Sequence, residues 1–146
     1  MTTAHVTENV NASVDAVWKI LSDFSGLKKL LPVMVASCLS EGQGLGATRS
    51  ITTLNGDTVS ETVSKFDETN KSMSYTIDSG TLPVKNYEAT FVVSDIDGNT
   101  CRIDWSSEFE VNGLSEEETI ELFTGLYTVC IASLRTMLGL NSAAAE

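Results

Sequence analysis

Hydrophobic and polar positions along the chain follow two periods, and the switch between them lays out the fold. Near the C-terminus Ile120, Phe123, Tyr127, Cys130, Leu134 and Met137 recur in steps of three and four, sharing one face of a helix. Leu122, Leu126, Val129, Ile131 and Leu138 widen that stripe. Ser115 is placed to cap the helix. Glu116, Glu117 and Glu118 fill its first turn, where the dipole favours negative charge, and Glu118 completes a capping box with the serine. The predicted helix runs from Ser115 to about Leu140. So wide an apolar stripe needs a broad concave surface to cover it.

The stretch before it supplies that surface, with a period of two. Val33–Ser40, Ala47–Leu54, Thr58–Phe66, Ser72–Asp78, Val84–Ile96 and Thr100–Val111 read as strands. The breaks between them are turn chemistry: 41–44, Asn55-Gly56, 67–70, Ser79-Gly80 and 97–99. Breaks this short join antiparallel neighbours, since parallel pairs need long crossovers. Upstream, Thr3–Val10 reads as an opening strand. Asn11 or Ser13 then caps a helix carrying Val14, Val17, Trp18 and Leu21 on one face. Ser25-Gly26 breaks it, and Leu27, Leu30 and Leu31 suggest a second short helix ended by Pro32. Strand, two short helices, meandering strands and a long helix make an α+β domain.

Alternation also assigns faces. Ile103, Trp105, Ser107, Phe109 and Val111 point inward, opposite Arg102, Asp104, Ser106, Glu108 and Glu110. Tyr87, Ala89, Phe91 and Val93 also point inward, as do Met73, Tyr75 and Ile77. The aromatic set Tyr75, Tyr87, Phe91, Trp105, Phe123 and Tyr127 is either plain core or the wall of a cavity. Inward hydroxyls, Ser107 included, need partners, and a sheet curved around one helix tends to leave unfilled volume. Val59, Glu61 and Val63 share the inner face of their strand. An isolated carboxylate there is costly and wants a partner or a proton. A three-residue Leu54-Asn55-Gly56 hairpin sets Arg49 opposite Glu61 and Ile51 opposite Val59, whereas a two-residue Asn-Gly turn sets Ser50 opposite Glu61. Three readings of Glu61 stay open: a self-satisfied ion pair, a polar anchor in an apolar pocket, or a strand-end carboxylate facing water.

At 146 residues the chain is expected to form one domain over residues 1–140, with a flexible tail at 141–146. The formal charge of −11 argues against a phosphate-backbone partner and against anionic membranes. No apolar run approaches a membrane span, and the N-terminus lacks the layout of a signal peptide, so a cytoplasmic location is expected. Cys38, Cys101 and Cys130 read as buried free thiols, Trp18 as packing, and His5 as too isolated for a metal role. Nucleophile-elbow, zincin, P-loop and dinucleotide motifs are absent, and the 42–46 glycine turn lacks the adjacent helix a phosphate cradle wants. No cofactor or metal is implied.

Several segments, in order and at matching spacing, resemble the START-like (SRPBCC) superfamily. They are Val17–Phe24, Leu31-Pro32, Gly44–Arg49, Glu61-Thr62-Val63, Leu82–Tyr87 and Trp105, spread over roughly residues 3–140. That group includes birch-pollen-allergen-like proteins, bacterial polyketide cyclase/dehydrase-like proteins and plant abscisic-acid receptors. The resemblance implies a helix-grip fold, a curved seven-stranded antiparallel sheet around the C-terminal helix, with a cavity for an apolar or amphipathic molecule. It places Glu61 and Tyr87 in that pocket and Leu82-Pro83 at its entrance. The receptor gate run is replaced by Thr53–Gly56 and the receptor latch by Leu82-Pro83, which puts the chain nearer the bacterial cyclase-like branch.

The leading expectation is a binding module for a hydrophobic small molecule such as a lipid, polyketide or other aromatic, as a monomer or weak homodimer. Arg49, Ile51, Val59, Glu61, Tyr75, Leu82, Pro83, Tyr87, Phe91, Trp105, Ser107, Phe123 and Tyr127 are the expected contacts. The rival is a cyclase- or dehydratase-like enzyme with Glu61 as acid/base and a tyrosine, Tyr87 foremost, as donor. A protein-interaction domain of the cochaperone kind is a third class.

Overall fold

A computed structural model of the chain describes residues 1–140; the tail expected at 141–146 lies outside the described residues. Strand β1 (Thr2–Val10) leads to α1 (Val14–Leu21), a 3-10 turn (Phe24–Gly26) and α2 (Leu27–Leu30). Then come β2 (Val35–Glu41), β3 (Thr48–Thr53), β4 (Thr58–Asp67), β5 (Ser72–Gly80), β6 (Val84–Asp95) and β7 (Cys101–Val111), followed by α3 (Glu116–Met137). All seven strands form one antiparallel sheet in the order β1-β7-β6-β5-β4-β3-β2. The meander from β2 to β7 is joined by turns, and β1 closes onto β7 at the far edge. This is the helix-grip α+β architecture that the alternating pattern and the resemblance both lead to.

The caps explain where the helices begin. Ser13 accepts from Ala16 N–H and starts α1, and Ser115 with Glu118 forms a complete capping box at α3. Phe123, Tyr127, Cys130, Ile131 and Leu134 of α3 are buried against the sheet. Inward residues of the strands meet them: Val59 and Val63, Met73 and Tyr75, Tyr87, Ala89, Phe91 and Val93, and Ile103, Trp105 and Phe109. Register irregularities between Ser60 and Glu61 and between Val63 and Lys65 interrupt the β4–β5 ladder, the kind of defect that bends a sheet. At Gly80 a Cβ would stand 2.8 Å from Thr58 O, so only glycine lets β5 lie this close to β4.

Four expectations need adjusting. The strand expected from Val33 begins at Val35, because Pro32, Val33 and Met34 turn away from the sheet and leave Val33 68% exposed. Val111, read as inward, is 38% exposed where β7 runs past the covered part of the sheet. Helix α3 ends at Met137, itself 44% exposed, and Gly139 at φ +76 turns the chain out of the helix. Cys38 is half-buried, whereas Cys101 and Cys130 are buried; all three are free thiols.

Candidate functional site

The site is assembled by the β3–β4 hairpin. Thr53 N–H donates to Asp57 O at 2.8 Å and Gly56 adopts φ +91, so Leu54-Asn55-Gly56 forms a three-residue turn. That turn fixes the register with Arg49 opposite Glu61 and Ile51 opposite Val59. Arg49 is 8% exposed and Glu61 6%. Arg49 Nε donates to Glu61 Oε1 at 2.7 Å, and Nη2 lies 2.6 Å from the same oxygen. Nη1 donates to Phe24 O at 3.3 Å, and the guanidinium carbon sits 3.8 Å above the Phe24 ring centre. Burial alone would disfavour the arginine cation. Glu61 and the surrounding electron-rich groups more than offset it, and the Arg49 proton is held more tightly than usual.

Beside this pair the tyrosines form a second polar group. Tyr127 donates to Ser107 Oγ at 2.7 Å and is hydrogen-bonded to the Tyr87 hydroxyl. Trp105 Nε1–H donates to the Tyr75 oxygen at 3.2 Å. Burial pushes Tyr75 and Tyr87 well above the ordinary phenol range and raises Tyr127 as well, so all three hydroxyls are protonated donors at neutral pH. The aromatic rings are stacked together: Trp105 and Tyr127 are parallel to within 9° at 5.0 Å, and Tyr87 lies 4.9 Å from Phe123.

Between the sheet and α3 these residues enclose a cavity of about 60 Å³. Ten of the expected contacts line it: Arg49, Ile51, Val59, Glu61, Tyr75, Leu82, Tyr87, Trp105, Phe123 and Tyr127. Phe91 stands behind Trp105, at 5.3 Å, and Ser107 anchors Tyr127 from behind. Pro83 holds the β5–β6 loop to Asn112 through its carbonyl. None of these three reaches the open volume. The cavity also touches Leu27, Leu31, Met34, Val35, Ile77, Leu126 and Cys130, which the site expectation omitted. Leu126 was visible as the flank of the α3 stripe, and Leu27 and Leu31 as the apolar side of α2; Met34 gave no signal.

A second hollow of about 350 Å³ opens at the surface above the cavity, lined by the loops after α2, β3 and β5. Met34, Val59 and Leu82 border both spaces. Val33 and Leu54, 68% and 65% exposed, stand on its rim, and Leu54 N–H ties the β3–β4 turn to Met34 O at 2.9 Å. A larger hollow, about 780 Å³, lies elsewhere, between α1 and the 42–44 loop. Its wall mixes Asp15, Lys19, Asp23, Glu68 and Lys71, and Lys71 is already paired with Glu68 at 2.8 Å. It is an open, solvated surface rather than a converging polar site. No group of three or more His, Cys, Asp or Glu side chains is arranged to hold a metal among the described residues. No helix among them is long and apolar enough to cross a membrane.

This combination of a sheet gripping a C-terminal helix over an aromatic, polar-dotted cavity defines the START-like helix-grip class. Residues 1–139 match the family described as "Polyketide cyclase / dehydrase and lipid transport", and the chain belongs to that family. No curated protein matches it. Among solved structures, the protein XoxI from Bacillus cereus is 29% identical with a TM-score of 0.83, over 94% of this chain and 95% of that one. A Thermobifida fusca protein is 23% identical with a TM-score of 0.81, over 95% and 94%. Norcoclaurine synthase from Thalictrum flavum is 21% identical with a TM-score of 0.75, over 93% and 92%, and one of its structures holds dopamine and hydroxybenzaldehyde. The last two likenesses show the fold.

Proposed function

We propose that the protein binds a hydrophobic or amphipathic small molecule, a lipid, polyketide or other aromatic, in the cavity between the sheet and α3. The observation that carries this reading is the convergence of a buried ion pair and buried hydroxyls on one apolar cavity, with an apolar-rimmed hollow directly outside it. Apolar walls supply affinity, and Arg49, Glu61 and the tyrosines orient the guest. The cavity's 60 Å³ is far below the roughly 300 Å³ at which ligand pockets begin. A ligand therefore enters by displacing Met34 and Leu82, two of the three side chains that border both the inner and the outer space. The family match agrees with a role of this kind.

A second reading, acid–base catalysis of a cyclisation or dehydration, rests on the Glu61 carboxylate and the Tyr87 hydroxyl lining the same cavity. Native mass spectrometry of freshly purified protein, repeated after organic extraction, tests the binding reading. Extra mass that is lost on extraction is expected, and its value gives the ligand class. Bare protein in both spectra, with no mass gained on incubation with lipid or aromatic extracts, overturns it. Once a ligand is in hand, Glu61→Gln separates the two readings: a carrier keeps most of its affinity, while an enzyme keeps binding and loses turnover.

A further inference from the structure

The donors and acceptors around the cavity are not all used. Tyr127 gives its one proton to Ser107 Oγ, so in the Tyr87–Tyr127 contact Tyr87 is the donor and both protons are engaged. Tyr75 differs. Its oxygen accepts from Trp105 Nε1 at 3.2 Å, but among the described residues none accepts the Tyr75 proton. Glu61 shows the converse. Arg49 Nε and Nη2 reach the same oxygen, Oε1, at 2.7 and 2.6 Å, and among the described residues none donates to Oε2. The two groups are neighbours. Tyr75 is opposite Val63 and Ile77 opposite Glu61 across the β4–β5 ladder, so Tyr75 and Glu61 lie diagonally on one face. The Arg49 guanidinium, paired with Glu61 through Oε1, lies 5.2 Å from the Tyr75 ring centre. One donor and one acceptor thus remain on a single patch of the cavity wall, on side chains that line it.

The charges on that wall are already balanced. Arg49 and Glu61 are the charged side chains lining the cavity, and they neutralise one another. A ligand carboxylate would meet an arginine whose charge is matched and a carboxylate beside it. A ligand ammonium would meet Arg49. Either ion would be buried without a counter-charge of its own, which is strongly unfavourable.

We propose that the ligand is uncharged and bears a hydroxyl, phenolic or alcoholic, on an apolar body, and that this one oxygen accepts the Tyr75 proton and donates its own to Glu61 Oε2. A hydroxyl is the smallest group able to do both. A ketone or ether satisfies Tyr75 alone, and an amide or indole N–H satisfies Glu61 alone. The proposal rests on the cavity reading above and narrows it, setting free fatty acids and other anions outside the preferred class.

Three naphthalenes of similar shape test it: 2-naphthol, 2-methylnaphthalene and 2-naphthoate, titrated at neutral pH by calorimetry into the wild type, Tyr75→Phe and Tyr87→Phe. In the wild type 2-naphthol is expected to bind about tenfold more tightly than 2-methylnaphthalene, as two hydrogen bonds made in a buried site imply, and 2-naphthoate most weakly. Tyr75→Phe narrows the naphthol preference several-fold. Tyr87→Phe narrows it less than Tyr75→Phe does, because the Tyr87 proton is already engaged. Equal binding of naphthol and methylnaphthalene, or tightest binding of naphthoate, overturns the hydroxyl assignment and leaves the cavity standing. Failure of all three to bind overturns the cavity reading and the assignment with it. The wild-type ratios decide the matter even if a variant does not fold.

Discussion

At the scale of single residues, the Arg49–Glu61 pair is where sequence and structure meet most closely. Alternation alone puts Glu61 on the inner face, and the physical cost of a lone carboxylate there sends the search to the neighbouring strand. Arg49 is then in reach, but only in one of two registers. An Asn-Gly dipeptide suits either a two- or a three-residue turn, and nothing local separates them. The choice is made by the folded hairpin, where Thr53 Oγ1 bonds Asn55 Oδ1 at 2.5 Å and also accepts from Asp57 N–H at 3.1 Å. The pair's contribution is asymmetric. Removing one partner strands a buried charge, so Glu61→Leu or Arg49→Leu is expected to cost about 3–5 kcal/mol. The double variant, which removes both charges, is expected to cost less than either single change. Urea unfolding of the four proteins checks this double-mutant cycle. Two single costs that simply add would mean the charges act independently.

At the scale of elements, α3 is fastened to β1 at both ends. Thr2 Oγ1 donates to Glu116 Oε2 at 2.7 Å at the start, and Arg135 reaches Glu8 Oε1 at 2.7 Å and Asn9 O at 2.6 Å near the finish. Strand and helix therefore run side by side in the same direction, and β1 acts as the rail that sets the height of α3 over the cavity. The N-terminal device was legible, since Ser115 and Glu118 carry a local signature. The C-terminal one was not. A basic residue in a last turn reads as a solvated partner of the dipole, and its burial depends on Glu8 and Asn9, more than a hundred residues away in sequence. The outer hollow was hidden for a similar reason: Val33 and Met34 continue an apolar run, and only the packed loops show that they leave the sheet. Ser115→Ala is expected to lower stability by about 1 kcal/mol, and Arg135→Met by about 1.5–3 kcal/mol through loss of its charge-assisted bonds. Hydrogen exchange should localise the two effects, the first to the opening turn of α3 and the second to its last turns and to β1. Uniform loss of protection in both variants would mean that α3 responds as one unit.

At the scale of the whole molecule, the interior holds cysteine thiols and tyrosine phenols in their protonated form, and this ties stability to alkaline pH. Cys130 lies on the face of α3 that covers the cavity. Burial pushes its thiol from an ordinary 9.0 up to about 12, with Arg49 pulling the other way and Glu61 adding to the rise. Burial likewise raises Cys101 to about 11, and Tyr75, Tyr87 and Tyr127 are raised for the same reason. Below about pH 9 the folded and unfolded chains both keep the Cys130 proton, so its contribution is constant. Above that the unfolded chain releases the proton while the folded chain retains it. Unfolding is then favoured progressively until the folded thiol itself ionises near pH 12. Each such group adds a slope of up to about 1.4 kcal/mol per pH unit within its own window. Cys130→Val keeps an apolar side chain of similar size and removes the titration. Urea unfolding at a series of pH values is therefore expected to show a shallower alkaline loss of stability for Cys130→Val than for the wild type, with parallel curves below pH 9. Curves that stay parallel through the alkaline range would show that the thiol ionises alike in the folded and unfolded chain, and that α3 does not seal the cavity from water.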